Sequence, residues 1–379
     1  MIFDYETMRL IWWALLGALL IGFAITDGFD LGVAILLPFL GKNDSERRVI
    51  INAIGATWEG NQVWFVTAGG ALFAAWPMAY SVAFSGFYFA LLLTLFALFL
   101  RPIGFDYRSK LPSQKWRSNW DIALFVGGLV PALIFGVAFG NLLKGVPFYF
   151  DNDMRIFYTG SFWALLNPFS LAAGLVSLSM LIMHGAVFLQ IKTVGDINQR
   201  CKTVVLVFAT LTLAIFALAG IWVATIDGYQ ISTEILPNAP SNPLAKIVYK
   251  EPGLWLANYA RFPVLWSVPG LAFIAGAVTI LLSKIERPGL AFITSSLTLT
   301  SVILTAGVSL FPFLIPSSSA MNSSLTVWDA SSSLATLKIM FWVTLIFLPI
   351  VVAYTTWAFR VLRGKITLEH IHQNDHTAY

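Results

Sequence analysis

Apolar residues occupy this chain in blocks of twenty or more, interrupted at intervals by short clusters of charge, Pro and Ser. Such blocks are too long for the alternating pattern of a half-buried strand, and each can cross a bilayer as a helix. Nine are predicted, at 10–40, 50–76, 79–100, 121–143, 162–190, 203–225, 262–283, 289–315 and 336–362. The first is too long for one upright helix and must tilt, bend or protrude. The pattern predicts an all-α polytopic membrane protein with a single integral-membrane domain over residues 1–379. The longest connection, 226–261, carries Pro237, Pro240, Pro243 and Pro252, with Trp255 and Tyr259 suited to a membrane interface. Gly28/Gly32 and Gly136/Gly140 have the small-xxx-small spacing that lets helices approach closely.

Charge orients the spans. Alternate connections hold Lys42, Arg47 and Arg48, then Arg101, Arg108, Lys110, Lys115 and Arg117, then Lys192, Arg200 and Lys202, with further bases in the last turn and tail. Sixteen bases fall on that side against six on the other, which predicts an outside amino terminus and a cytoplasmic carboxy terminus. The start, MIFDYETMRL, has two acids before its first base and no small-residue cleavage site, so the first block reads as a retained helix.

Composition agrees: 58% of residues are hydrophobic and 11% charged, against about 25% charged in soluble domains. A net charge of +4 leaves no nucleic-acid footprint. One cysteine, Cys201, excludes a disulfide framework and a thiolate-held metal centre within the chain. No Walker loop, GxGxxG turn, CxxC pair or HExxH helix is present, which argues against nucleotide hydrolysis and soluble-type metal catalysis.

Against this background the buried acids stand out. TDGFD places Asp27 and Asp30 in the first block, and WEGNQVW places Glu59 in the second. A charged group at mid-membrane costs at least ~2.5–3.5 kcal/mol. Asp30 lies ten residues before Leu40, and Glu59 nine after Ile50, so both are expected about 15 Å from the cytoplasmic surface. Asp27 and Asp30 share a helix face, as do Glu59 and Gln62, and with Asn61 they could form one polar patch. Three readings stay open: protonated acids locking helices together, a proton relay open to the cytoplasm, and a cation site. Asp106 and Lys110 fall in the following cytoplasmic loop, where a relay would need a hydrated mouth.

Histidine is scarce. His370, His372 and His376 lie in the tail, leaving His184 inside a span. Met180 is one turn from His184 on the same face and cannot sit across a haem from it, so His184 reads as a satisfied polar residue near the membrane boundary. Redox cofactors, if used, would be held by another subunit. The 14 Trp and 31 Phe read mainly as interfacial anchors and lipid-facing bulk, with a quinone or pigment pocket as the lesser reading.

Six long strings, RLIWWALLGALLIGFAITDGFDLG, WEGNQVWFVTAGGALFAAWP, LRPIGFDYRSK, GVAFGNLLKGVPF, LFPFLIPSS and SLTVWDASSS, closely resemble subunit II of the bacterial cytochrome bd-type quinol oxidases, over essentially the whole chain. The resemblance implies a nine-helix, haem-free subunit of the bacterial inner membrane. Its partner, subunit I, holds two b-type haems and one d-type haem, oxidises quinol and reduces dioxygen to water. Small single-helix subunits, membrane lipid and a structural quinone are further partners that the family implies. On matching positions, Glu59 would lie on the proton path to the oxygen-reducing haem, Asp106 and Lys110 at its entrance, and Asp27 and Asp30 beside it. Trp64 would mark the mouth of an apolar oxygen route. Some relatives carry Asp where this chain has Glu59. From the residues alone, a proton-coupled secondary transporter and a purely structural assembly subunit remain the rivals. The transporter lacks an obvious inverted repeat.

Overall fold

The structure, a computed structural model, describes residues 3–367 together with Glu369 and Ile371. His370, His372 and His376 lie outside the described residues. Helix α1 (Tyr5–Leu40) starts at Asp4, whose carboxylate accepts from the Thr7 amide at 2.8 Å. It is followed by α2 (Asp44–Gly55), α3 (Trp58–Ala75), α4 (Pro77–Gly86), α5 (Tyr88–Tyr107) and α6 (Gln114–Lys144). Next come α7 (Pro168–Lys192), α8 (Gly195–Val223), the short α9 (Ala257–Arg261), α10 (Ser267–Lys284), α11 (Pro288–Leu310) and α12 (Leu334–Val361). Side-chain caps at Asn43, Ser113, Asn167 and Ser333 set the starts of α2, α6, α7 and α12.

Among the described residues, eight helices are long and apolar enough to cross a membrane, which makes this a multi-pass membrane protein. The second predicted run is not among them. It is broken at Ala56 and Thr57 into α2 and α3, after Gly55, and α3 opens on the polar sequence Glu59-Gly60-Asn61-Gln62, which dilutes its hydropathy. The third run is likewise divided at Phe87, directly after Gly86. Its second part does not stop at 100: α5 continues through Pro102 to Tyr107, carrying Arg101 and Asp106 inside the helix. The predicted fifth span loses its start to a short 3-10 turn at Trp163–Leu166, and the eighth ends at Leu310 because 313–315 is strand.

Helices α1, α6 and α7 form the centre of the bundle. A Cβ on Gly32 would overlap the Leu181 carbonyl, and one on Gly185 would lie 2.7 Å from the Gly32 carbonyl carbon, so α1 and α7 touch backbone to backbone. Gly136 is pressed in the same way against Ala173 of α7. The small-residue spacing thus marks real crossings. Replacing Gly32 with Ala is expected to cost about 1–3 kcal/mol through forced separation of the helices. The same change at Gly17, which has open space where a Cβ would go, should be neutral; thermal unfolding of the two variants in detergent checks the contrast.

At the amino-terminal end, three two-stranded antiparallel hairpins form a cap over the bundle: β1 (Phe148–Phe150) with β2 (Ile156–Tyr158), β3 (Asp227–Ile231) with β4 (Val248–Pro252), and β5 (Phe313–Ile315) with β6 (Leu325–Thr326). Trp255 and Tyr259 belong to its buried core and not to a membrane interface. Trp255 donates to the Leu143 carbonyl at 2.8 Å and Tyr259 to that of Thr305 at 3.0 Å, giving each polar tip a partner that a lipid headgroup would otherwise supply. Arg9, counted above as an external base, is buried beneath the cap. It donates to Ser331 Oγ at 2.8 Å, Ser241 Oγ at 3.0 Å and the carbonyls of Pro237 and Ala239, with its guanidinium over the Tyr5 ring. Helix α12 lies at the edge of the bundle, with Leu337 its only buried side chain.

Candidate functional site

The break before α3 decides where its first turn sits. Asn61 Nδ2 donates to Asp30 Oδ2 at 2.7 Å, so the start of α3 is level with the acid turn of α1, within the apolar thickness of the chain. Glu59 is the second residue of α3, where the unpaired amides and the helix dipole favour a negative charge. Its side chain is exposed on the surface of the chain and has no hydrogen-bond or ionic partner among the described residues. Glu59 shares this face with Gly60, Val63, Val66 and Thr67. Gln62 is half-buried.

Asp27 and Asp30 point the other way and are fully buried. Their patch includes a cation that the sequence pattern had placed in a loop. Arg101, on the extended α5, donates from Nη2 to Asp27 Oδ1 at 2.7 Å and from Nη1 to Asp27 Oδ2 at 3.0 Å, a bidentate pair with both side chains buried. Asp30 Oδ1 and Arg101 Nε have no partner among the described residues. The polar patch is therefore a compensated pair, Asp27 with Arg101, beside Asp30 held by Asn61. Glu59, two residues before Asn61, lies on the opposite, outer face of α3. A signal for Arg101 existed in the sequence: two acids in one apolar block call for a counter-charge at similar depth, and Arg101 closes the apolar run that begins near residue 88.

Trp58, the first residue of α3, links the two sides. Its ring lies 5.3 Å from that of Phe105 and 5.5 Å from the Arg101 guanidinium. Glu59 and Asp106 are the next residues along the two touching helices, and both are exposed, as is Lys110 beyond the end of α5. Asp106 occupies the last turn of the helix and not a loop.

A second ionic cluster closes the basic end. Arg108, also counted above as a loop base, is buried and binds Asp121 Oδ1 through Nε at 2.5 Å and Asp44 Oδ1 through Nη2 at 3.0 Å. Arg47 reaches Asp121 at 2.7 Å, and Arg117 reaches Asp44 at 2.6 Å. Arg200 and Glu46 pair at 2.7 Å alongside. These bases anchor α2, α5 and α6 to one another.

His184 lies on α7, eight residues before the helix ends at Lys192, and is fully buried. Nδ1 is 2.7 Å from Ser295 Oγ and Nε2 is 2.9 Å from the Ile25 carbonyl, while the ring stacks on Phe292. It ties α7 to α11 and α1 as a satisfied polar residue, deeper than the boundary position expected. Trp64 is half-buried on α3, and a Cβ at Gly22 of α1 would lie 2.7 Å from its ring.

Comparison with known proteins places this arrangement. Residues 8–362 match the model of cytochrome bd terminal oxidase subunit II. The chain belongs to that family. It is 53% identical to cytochrome bd-I ubiquinol oxidase subunit 2 of Escherichia coli K12 over 377 residues, covering 99% of this chain and all of the relative. It is 32% identical to cytochrome bd ubiquinol oxidase subunit 2 of Bacillus subtilis over 360 residues, covering 94% and 96%. A chain in the structure of bd oxidase from Geobacillus thermodenitrificans shares the fold, with a TM-score of 0.68 at 17% identity and coverage of 94% and 98%.

The family name implies haem in the assembled oxidase. His184, the one described histidine, offers a haem no free axial nitrogen. Both nitrogens of His184 are engaged by other helices, Met180 and Met183 are buried among the core residues of α7, and no group of three His, Cys, Asp or Glu gathers in the described part.

Proposed function

We propose that the chain is the haem-free subunit II of a cytochrome bd-type quinol oxidase of the bacterial inner membrane, supporting a haem-bearing subunit I and delivering protons to it from the cytoplasm. The observation that carries this reading is the position of Glu59: a carboxylate at the start of a helix that begins level with the buried acids of α1, exposed on the outer face of the chain. A lone acid facing lipid would be strongly penalised, whereas one facing a partner's polar cavity can exchange protons.

The haem-bearing partner would supply the reduction of dioxygen to water, which takes four electrons from two quinols and four protons. Lys110 and Asp106 mark a hydrated entrance at the basic end, and Glu59 holds the proton at the last carboxylate before the partner. Asp27 and Asp30 sit beside the route, where Arg101 and Asn61 fix them. Trp64, wedged against Gly22, borders an apolar path for oxygen. With the amino terminus outside, quinol oxidation on the outer side and proton uptake on the inner side would charge the membrane without a pump. The remaining exposed apolar faces, α12 foremost, are suited to subunit I, single-helix subunits, lipid and a structural quinone.

The test is purification of the chain with its natural partners. A reduced-minus-oxidised haem spectrum and quinol-driven oxygen uptake are expected in the complex. Proton-coupled solute movement by this chain alone in vesicles, without haem partners, would overturn the reading in favour of a transporter.

A further inference from the structure

Four helices contribute residues to the same successive levels of the bundle. On α5, Arg101, Phe105 and Arg108 follow at one-turn spacing, the first paired with Asp27 and the last with Asp121. On α6, Asp121 is followed by Leu124 and then by Gly127, where a Cβ would lie 3.1 Å from Arg101 Cγ. On α1, Asp30 is followed by Ala34 and Leu37, and then Gly41 accepts from Arg47 Nε at 3.0 Å. On α2, Arg47 is followed by Ile51 and Ile54, after which α3 begins with Trp58 beside Arg101.

The four sequences therefore build three layers: an inner ionic cluster, an apolar layer, and an outer ionic cluster at the basic end. The seven residues from Arg101 to Arg108 make the separation about 10 Å. Ala34, Leu37, Ile51, Ile54, Phe105 and Leu124 are each no more than 3% exposed. They enclose a void of ≈ 10 Å³ whose lining is apolar throughout. That is barely room for one water, which would need two to four polar partners and would find none.

We propose that this layer is a water barrier isolating the Asp27–Arg101–Asp30 cluster from the cytosol. The bidentate pair and the Asn61 contact hold the inner cluster in place, and the rim cluster is closed by its own ion pairs. Asp27 and Asp30 are then held in place by Arg101 and Asn61 and are not stations filled through the interior of the chain. The barrier goes beyond the oxidase reading, because it concerns water access to one chain at rest.

Cysteine accessibility in the assembled complex, without quinol or turnover, tests it. The one native cysteine, Cys201, is buried. A small charged methanethiosulfonate reagent, followed by the mass of this chain, is expected to modify Lys110→Cys readily. It should modify Ala34→Cys on the order of 100-fold more slowly, since a dry apolar site suppresses the reactive thiolate. Adding Leu124→Ser supplies a polar partner for water and should raise the Ala34→Cys rate by at least about 10-fold. If that variant does not assemble, Ile54→Ser makes the same test from α2. Labelling of Ala34→Cys at the Lys110→Cys rate in the otherwise native complex would overturn the barrier, as would no acceleration in an assembled Ser variant. Neither result bears on whether the complex consumes oxygen.

Discussion

Glu59→Gln is expected to lower quinol-driven oxygen uptake by about 10²-fold or more, the scale of losing a positioned proton donor or acceptor. Gln keeps the shape and hydrogen-bonding capacity of the side chain but cannot take up and release a proton in this range. Because the exposed Glu59 side chain has no hydrogen-bond or ionic partner among the described residues, its replacement has little to disturb in the fold. Co-purification with the haem subunit and the reduced-minus-oxidised spectrum should be unchanged. Glu59→Asp should retain much of the rate, since it shortens the reach by one methylene and keeps the carboxylate. Unchanged turnover in Glu59→Gln would remove this residue from the proton path while leaving family membership intact.

The second large effect concerns stability. Arg101→Met is expected to destabilise the chain by about 3–5 kcal/mol, because it leaves Asp27 as an uncompensated buried charge. Thermal unfolding of the purified complex should show the loss, and the yield of assembled complex should fall. The double replacement of Asp27 and Arg101 by Leu removes both charges and should recover most of the stability. A double variant as unstable as Arg101→Met would show that the pair does more than neutralise itself.

The membrane class and most of the spans were legible because long apolar blocks admit few alternatives. Boundaries were less so. Arg101 illustrates why: a base at the end of an apolar run reads as a loop residue unless its partner is known, and Asp27 is 74 positions away. The division of the second run escaped for a different reason, since Gly55, Ala56 and Thr57 are ordinary residues within a helix and nothing in their pattern demands a stop. The consequence was large for the site, because the new helix start faces Glu59 outward while Asn61, two residues on, faces Asp30. The predicted shared patch of three acids thus resolves into an inner buried cluster and one outward carboxylate. Periodicity fixes relative faces within a helix but cannot report which of them meets another helix. The cap was hidden because its strands are only two to five residues long and its hairpins are separated by spans.

The buried position of Arg9 carries one more consequence, for the order of synthesis. Its acceptors at residues 237, 239 and 241 emerge long after it, and Ser331 emerges after all but the final crossing has been made. A nascent chain must therefore hold this guanidinium in some interim state until α8 has been made, and without its Ser331 acceptor until α11 has been made. Truncations ending before residue 331 should leave the amino-terminal segment open to protease, and chains extended past it should protect it.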